Sequence, residues 1–342
     1  MRVSKRYFQN RILSWYVSHR RRLPWRAGNS RKGRDPYQVL VSEVMLQQTQ
    51  VERVIPYYQR WIKRWPTVRH LARAHLASVI KAWAGLGYNR RAVYFHKAAI
   101  TVVSELGGEF PRSEEELVKL PGVGRYTARA ILAFAFGKDV GVLETNTKRV
   151  LLRIFFRTNS FGELKMLLGK EASAHSLWSV SVSRMNSIPF STATAPKGYK
   201  ENTFSEKNVL QLADAVVPEG KGDHWNQALM DFGAMVCTAK RPKCGECPLR
   251  KICRWYASGR KQGMAQWSNG QIVRRVRFEE TDRHFRGRIV DILRHSSLPI
   301  NKLKKYMDGE HGLSNRERFE RLVSDLEAEG LISVRNSFAS LP

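Results

Sequence analysis

Residues 120–137 read LPGVGRYTARAILAFAFG. Upstream, Ser113 and Glu116 form an S-x-x-E capping box that starts a helix reaching about Lys119. That helix meets Pro121-Gly122-Val123-Gly124, and a second helix follows. Gly122 and Gly124 permit a tight turn whose bare backbone another group can approach closely. Placed before a helix N-terminus, their N–H groups suit a phosphate oxygen. A glycine turn between helices is also an ordinary tight corner, so the rest of the chain has to decide.

Outward from this hairpin nearly every periodic segment has helical spacing. Asp35 and Pro36 make a helix start, as N-cap and first helical residue. The stretch from Asp35 to Trp65 reads as two helices broken at Pro56. Several short helices follow between Thr67 and Leu106, interrupted at Gly85-Leu86-Gly87. Helix resumes at Glu206–Ala215 and Trp225–Val236. Before them, 158–206 is rich in Ser, Thr and Lys and reads as an inserted surface loop, with one short helix near Leu164–Ala172. After a linker the last residues read as three helices and a short strand. Ile289, Ile292 and Leu293, then Phe319, Leu322, Val323 and Leu326, give each of two helices an apolar face. That order suggests a winged helix-turn-helix; a small helical protein-contact domain is the alternative.

The 342-residue chain carries 59 Lys+Arg against 30 Asp+Glu, a net charge of +29. Such a charge repels itself unless a polyanion takes it up, and nucleic acid is the leading candidate. With 42% hydrophobic residues the chain can bury a sizeable core, which excludes a disordered basic tail. The N-terminus has no signal-peptide h-region, and no run approaches the roughly 18 apolar residues of a membrane span. A soluble cytoplasmic protein without a membrane partner is therefore expected.

Cys237, Cys244, Cys247 and Cys253 stand in a C-x6-C-x2-C-x5-C spacing. In a reducing compartment such a cluster argues for metal rather than disulfides. Four thiolates hold either zinc or an iron–sulfur cluster, and only one C-x2-C knuckle is present. Lys240, Arg241 and Lys243 lie between the first two cysteines, where they suit phosphate or form a solvated basic turn.

PWR at 24–26, SEVMLQQTQVERVIPYY at 42–58, GLGY at 85–88, LPGVGRYTA at 120–128 and NQALMDFGAMVC at 226–237, together with the cysteine loop, resemble the MutY-type adenine DNA glycosylases of the helix-hairpin-helix, endonuclease III-like superfamily. The resemblance spans residues 20–255 in the family's order. It implies an all-α, two-lobed glycosylase fold with a 4Fe–4S cluster loop; the C-terminal winged-helix-like domain read from the residue pattern lies outside the family pattern. On this reading 1–21 and 138–255 form the cluster-bearing lobe and 22–137 the lobe with the hairpin. A linker at 256–275 leads to the winged-helix-like domain at 276–342.

The implied activity is removal of adenine mispaired with 8-oxoguanine or guanine in double-stranded DNA, by a monomer acting in base-excision repair. A base inside a duplex is out of reach, so the nucleotide is extruded into a pocket. Glu43 matches the family's general acid, and Trp25 and Arg26 border the base pocket. Glu43, Gln47 and Gln50 are expected to share one helical face. Gln48 and Tyr88 fill the space the base leaves, while Gly122, Gly124, Arg125 and the loop cations Lys240, Arg241 and Lys243 contact DNA. Tyr126 stands where some relatives carry a lysine nucleophile; a phenol is no amine, so a monofunctional glycosylase is expected.

The family's second carboxylate is an aspartate in a D-x-N stretch. Here Glu144-Thr145-Asn146 takes its place, one methylene longer. The extra bond can move the carboxylate by about 1.5 Å. Glu144 is thus either a catalytic group with altered reach or a helix-start acid, and Asn146 either orients it or caps the helix. A thymine or uracil mismatch glycosylase, and a DNA binder impaired at Glu144, remain the alternatives.

Overall fold

The computed structural model describes residues 4–27, 33–156, 206–259, 277–311 and 313–342. The expected insertion at 158–206, its short helix and most of the linker lie outside the described residues. The helices run in the order α1 (Lys5–His19), α2 (Pro36–Leu46), α3 (Val51–Arg64), α4 (Val68–Ala72), α5 (Leu76–Ala82), α6 (Arg90–Ser104), α7 (Glu114–Leu117), α8 (Arg125–Phe134) and α9 (Thr145–Phe156). After the gap come α10 (Glu206–Ala215), α11 (Gly222–Met235), α12 (Arg254–Ala257) and α13 (Asp282–Leu293). Strand β1 (Leu298–Pro299), α14 (Ile300–His311), α15 (Arg316–Ala328), β2 (Ser333–Arg335) and β3 (Phe338–Ser340) complete the order. No described helix is long and apolar enough to cross a membrane.

Contacts group the chain into two compact units. The first comprises residues 1–23, 28–34 and 128–267. Ser4 caps α1 by accepting from the Tyr7 amide, and Phe8, Ile12 and Tyr16 recur every four residues on its buried face. Phe8 meets Phe155 of α9 and Trp225 of α11 edge-on, at 5.4 and 5.2 Å between ring centroids. Full burial of each such side chain contributes roughly 1.5–3 kcal/mol. Asp231, inside α11, would be a costly buried charge on its own. Arg21 neutralises it, giving its backbone N–H to Oδ2 at 3.0 Å and its Nε to Oδ1 at 2.7 Å.

The second unit comprises residues 24–27, 35–127 and 268–342. Asp35 caps α2 with Pro36 inside its first turn, as the sequence dictates. Trp61 stacks on Phe95 at 5.5 Å and meets Trp65 and Trp83 edge-on. Tyr37 is buried beside them, gives its hydroxyl to the Trp65 carbonyl at 2.8 Å and accepts from Trp61 Nε1 at 3.2 Å. Burial pushes its phenol well above the ordinary range.

The expected break at Pro56 is not where the chain turns. Proline lies within α3, on an exposed face, while Val54, Tyr58 and Trp61 face inward. The carbonyl four residues back belongs to exposed Glu52, so water can take its place in the helix ladder. The turn comes instead at Gln47–Gln50, where Gln48 adopts φ 55°. With α2 ending at Leu46, Glu43, Gln47 and Gln50 do not share one helical face.

The C-terminal segment adds a sheet to the expected helices. β3 pairs antiparallel with both β1 and β2, in the order β1-β3-β2. Its core of Phe285, Ile289, Leu303, Phe319, Leu322 and Leu326 also takes in Ile80 and Val93, from α5 and α6. The segment therefore groups with 35–127, whereas the sequence suggests a separate domain.

Candidate functional site

In the second unit α2 runs almost wholly buried, and Glu43 is 6% exposed. The hydroxyl of Tyr126, in the first turn of α8, donates to Glu43 Oε2 at 2.6 Å. A buried carboxylate and a phenol on two helices are thus brought together across 83 positions of sequence. Trp25 is buried in a short 3-10 turn, Pro24–Arg26, and packs edge-on against Tyr58 at 5.5 Å; Arg26 beside it is half-buried.

Gln48 and Tyr88 are exposed and both take positive φ, 55° and 47°. This left-handed backbone is uncommon outside glycine and needs holding by its surroundings. Arg91 holds it. One Nη donates to the carbonyls of Val44 at 2.6 Å and Gln47 at 2.9 Å, the other to Leu86 at 3.0 Å and Gly87 at 3.1 Å. A single guanidinium ties the turn after α2 to the turn before α6. Burial lowers its pKa to about 10, which leaves it charged at neutral pH. Nothing in the sequence singles Arg91 out, because its partners are backbone carbonyls.

At the hairpin, Ser113 accepts from the Glu116 amide and gives its hydroxyl to the Glu116 carboxylate. Gly122 has φ 75°, and a Cβ there would stand 2.8 Å from Tyr94 Cβ, so glycine is required. Gly124 does not use the left-handed region and faces open space. Arg125, at the start of α8, is exposed and pairs with Glu114 at 3.0 Å.

In the first unit Glu144 immediately precedes α9. Its Oε2 accepts from the Asn146 amide at 2.8 Å and Nδ2 at 3.2 Å; its Oε1 accepts from the Thr147 amide at 2.8 Å and hydroxyl at 3.3 Å. The longer side chain curls back and caps its own helix. These four donors match the roughly four acceptor positions of an ionised carboxylate. Asn146 is fixed in turn by Arg149, which donates to its Oδ1 at 2.7 Å, to the Gly233 carbonyl at 2.6 Å and to the Cys237 carbonyl at 2.7 Å. A side chain at Gly233 would collide with Asn146, which explains the glycine in that motif. Asn226 orders the approach to Glu144 by bonding the Val142 amide and the Val140 carbonyl. Arg149 and Asn226 are further parts of the site that spacing alone does not mark.

Cys237, Cys244, Cys247 and Cys253 line one small hollow with Arg153. Among the described residues no three potential ligands converge on a single ion. A four-iron cube spreads its ligands more widely than one ion does. Burial pushes Cys247 up to about 12 and Cys253 up to about 11, so both stay protonated at neutral pH unless a cationic centre draws off the protons. Arg153 Nη1 lies 3.4 Å from Cys237 Sγ, and its guanidinium stacks on Trp255 at 4.5 Å. Four thiols and a fixed cation beside them suit an anionic thiolate-held cluster. Lys240, Arg241 and Lys243 are exposed on the same loop.

Comparison with known proteins agrees with these features. Residues 41–169 match the HhH-GPD superfamily of base excision DNA repair proteins, and 237–253 match the iron–sulfur binding domain of endonuclease III. The adenine DNA glycosylase of Mycolicibacterium smegmatis is 35% identical over 94% of this chain and 91% of its own length. The chain belongs to the adenine DNA glycosylase family.

The human member of that family is 39% identical over 72% of this chain, but the match spans only 39% of the human protein. A solved thermostable thymine-DNA glycosylase superposes with a TM-score of 0.56 at 27% identity, covering 74% of this chain and 97% of its own. A DNA complex of endonuclease III, at 21% identity and TM-score 0.52, shares the fold. Family membership makes this chain a DNA N-glycosylase with a 4Fe–4S cluster, and the four cysteines all lie in the matched iron–sulfur region. Cys237, Cys244, Cys247 and Cys253 would hold it, and it would then cross-link the loop bearing Lys240, Arg241 and Lys243.

Proposed function

We propose that this chain is a monofunctional glycosylase that hydrolyses the N-glycosidic bond of adenine mispaired with 8-oxoguanine or guanine in double-stranded DNA, acting as a monomer. The observation that carries it is the buried Glu43 carboxyl with the Tyr126 hydroxyl 2.6 Å away. A leaving purine needs a proton. Glu43 is the residue to supply it, out of bulk water, with Tyr126 fixing its orientation. Trp25 and Arg26 form the edge of the base pocket, and Gln48 and Tyr88 occupy the space the extruded base leaves. Gly122, Gly124 and Arg125 meet the DNA backbone, as do the cations of the cysteine loop.

Glu144 acts by charge rather than by covalent attack. Its oxygens are already engaged by Asn146 and Thr147, so bonding to the sugar would break the helix cap. Standing as a fixed anion for the positive charge that develops on the sugar breaks nothing. Asn146 serves to keep it there. This removes the need to regain the reach of the shorter aspartate.

The likeness to a thymine-DNA glycosylase supports a second reading, thymine or uracil excision on the same frame. Single-turnover base release from duplexes carrying A opposite 8-oxoguanine, A opposite G, T opposite G and U opposite G separates the two. The proposal requires release from the first pair of substrates. Release from the second pair alone would replace it.

A further inference from the structure

A cleft of about 670 Å³ lies in the second unit between the Gly122 turn and α13 of the C-terminal segment. Its floor is apolar, formed by Val44, Ala98, Val123, Val290 and Leu331. Its edge is cationic. Arg90, Arg91, Arg283 and Arg286 line it, against one acid, Glu329. Glu329 pairs with Arg286 at 2.5 Å and with Arg90 at 3.7 Å, and Asp325 lies 3.8 Å from Arg286. Arg91 bonds backbone carbonyls through both of its Nη groups. Arg283 is different. It is exposed, it stacks on Tyr88 at 3.8 Å and lies 5.6 Å from the Phe278 ring centroid, and among the described residues it has no ion pair.

A guanidinium held over an aromatic ring keeps the N–H donors in its own plane available for hydrogen bonding. An unneutralised cation so placed suits an anion. The excess of arginine over acid around the cleft makes that anion a polyanion rather than a protein carboxylate.

We infer that this cleft is a DNA-backbone site, in which Arg283, flanked by Arg286 and Arg90, binds phosphate of the strand that reaches the Gly122 turn. The C-terminal segment is then part of the DNA interface rather than an appended protein-contact module. The inference rests on the glycosylase reading above for its choice of DNA. It adds a contact from residues 277–342, which lie beyond the motifs that carry the family resemblance.

The test uses the full, cluster-loaded chain and a duplex holding a tetrahydrofuran abasic analogue opposite guanine. Affinity is measured by fluorescence anisotropy across a series of salt concentrations, for wild type, R283A, R283E and the control R316A. Arg316 is an exposed helix residue paired with Glu320 outside the cleft, so R316A reports simple loss of one charge. R283A is expected to weaken binding about five- to tenfold and to lower the slope of log K against log salt by about one. R283E should weaken it further, and R316A should match wild type. An unchanged affinity for R283A would overturn the inference. So would weaker binding with an unchanged slope, which marks a contact other than phosphate. Tighter binding would also overturn it, by making the segment a lid. Should wild type fail to bind the duplex at all, the glycosylase reading itself fails, separately from the role of Arg283.

Discussion

The Tyr126 hydroxyl donates to Glu43 Oε2 at 2.6 Å, joining the start of α8 to the middle of α2. Removing the acid while keeping its shape, in E43Q, should slow base release by about 10²–10⁴-fold and leave DNA affinity close to wild type. Y126F, which keeps the ring but not the donor, should cost about tenfold. Single-turnover kinetics on an A:8-oxoguanine duplex measures both. Wild-type rates from E43Q would remove Glu43 from the chemistry.

Glu144 separates charge from shape. E144Q retains one acceptor oxygen for the cap but loses the anion, so the rate should fall by about 10²-fold or more. Losing the charge at the N-terminus of α9 together with one of its two acceptor oxygens should cost about 1–3 kcal/mol of stability. E144D keeps the anion and is a favourable N-cap residue, so it should stay folded and active. A fully active E144Q would reduce this residue to a helix cap.

Arg91 bonds carbonyls on both sides of its guanidinium, and an ammonium cannot span the two turns in that way. R91K should therefore release the Gln48 and Tyr88 turns from each other. The expected results are a stability loss of about 1 kcal/mol or more from partly buried carbonyls left unpaired and weaker extrusion of the base. Denaturant unfolding reads the first, and the fluorescence of 2-aminopurine in place of adenine reads the second. An R91K protein with wild-type signals in both would show that the turns hold themselves.

Loss of the cluster should act on DNA binding before it acts on Glu43. Replacing one ligand, as in C247S, should abolish absorption near roughly 400 nm and loosen the loop that carries Lys240, Arg241 and Lys243. A lower affinity and a shallower salt dependence follow. Undiminished affinity in colourless protein would mean that the loop needs no cross-link.

Local chemistry was legible in the sequence, and long-range bonding was not. The caps at Asp35 and Ser113 and the four-cysteine spacing depend on neighbours a few residues away, and they stand where residue type puts them. Pro56 misled, because an exposed helix face tolerates a missing donor. The true turn at Gln48 uses a left-handed glutamine, which carries no glycine or asparagine to announce it. Strands β1, β2 and β3 are too short for alternation to show, and two of them form only through pairing with the third. The curl of Glu144 onto Asn146 and Thr147, and the grip of Arg91 on two turns, are matters of side-chain path. Residue identity alone does not reveal them.

The measurement that bears most directly on the account is alkali-dependent strand cleavage after single-turnover reaction of the intact, cluster-loaded protein with A opposite 8-oxoguanine, A opposite G, T opposite G and U opposite G. Cleavage is expected at the adenine duplexes only, lost in E43Q and in E144Q. Cleavage at T or U alone would contradict the substrate. Tight binding without cleavage of any duplex would contradict catalysis and leave a DNA-binding protein on a glycosylase frame.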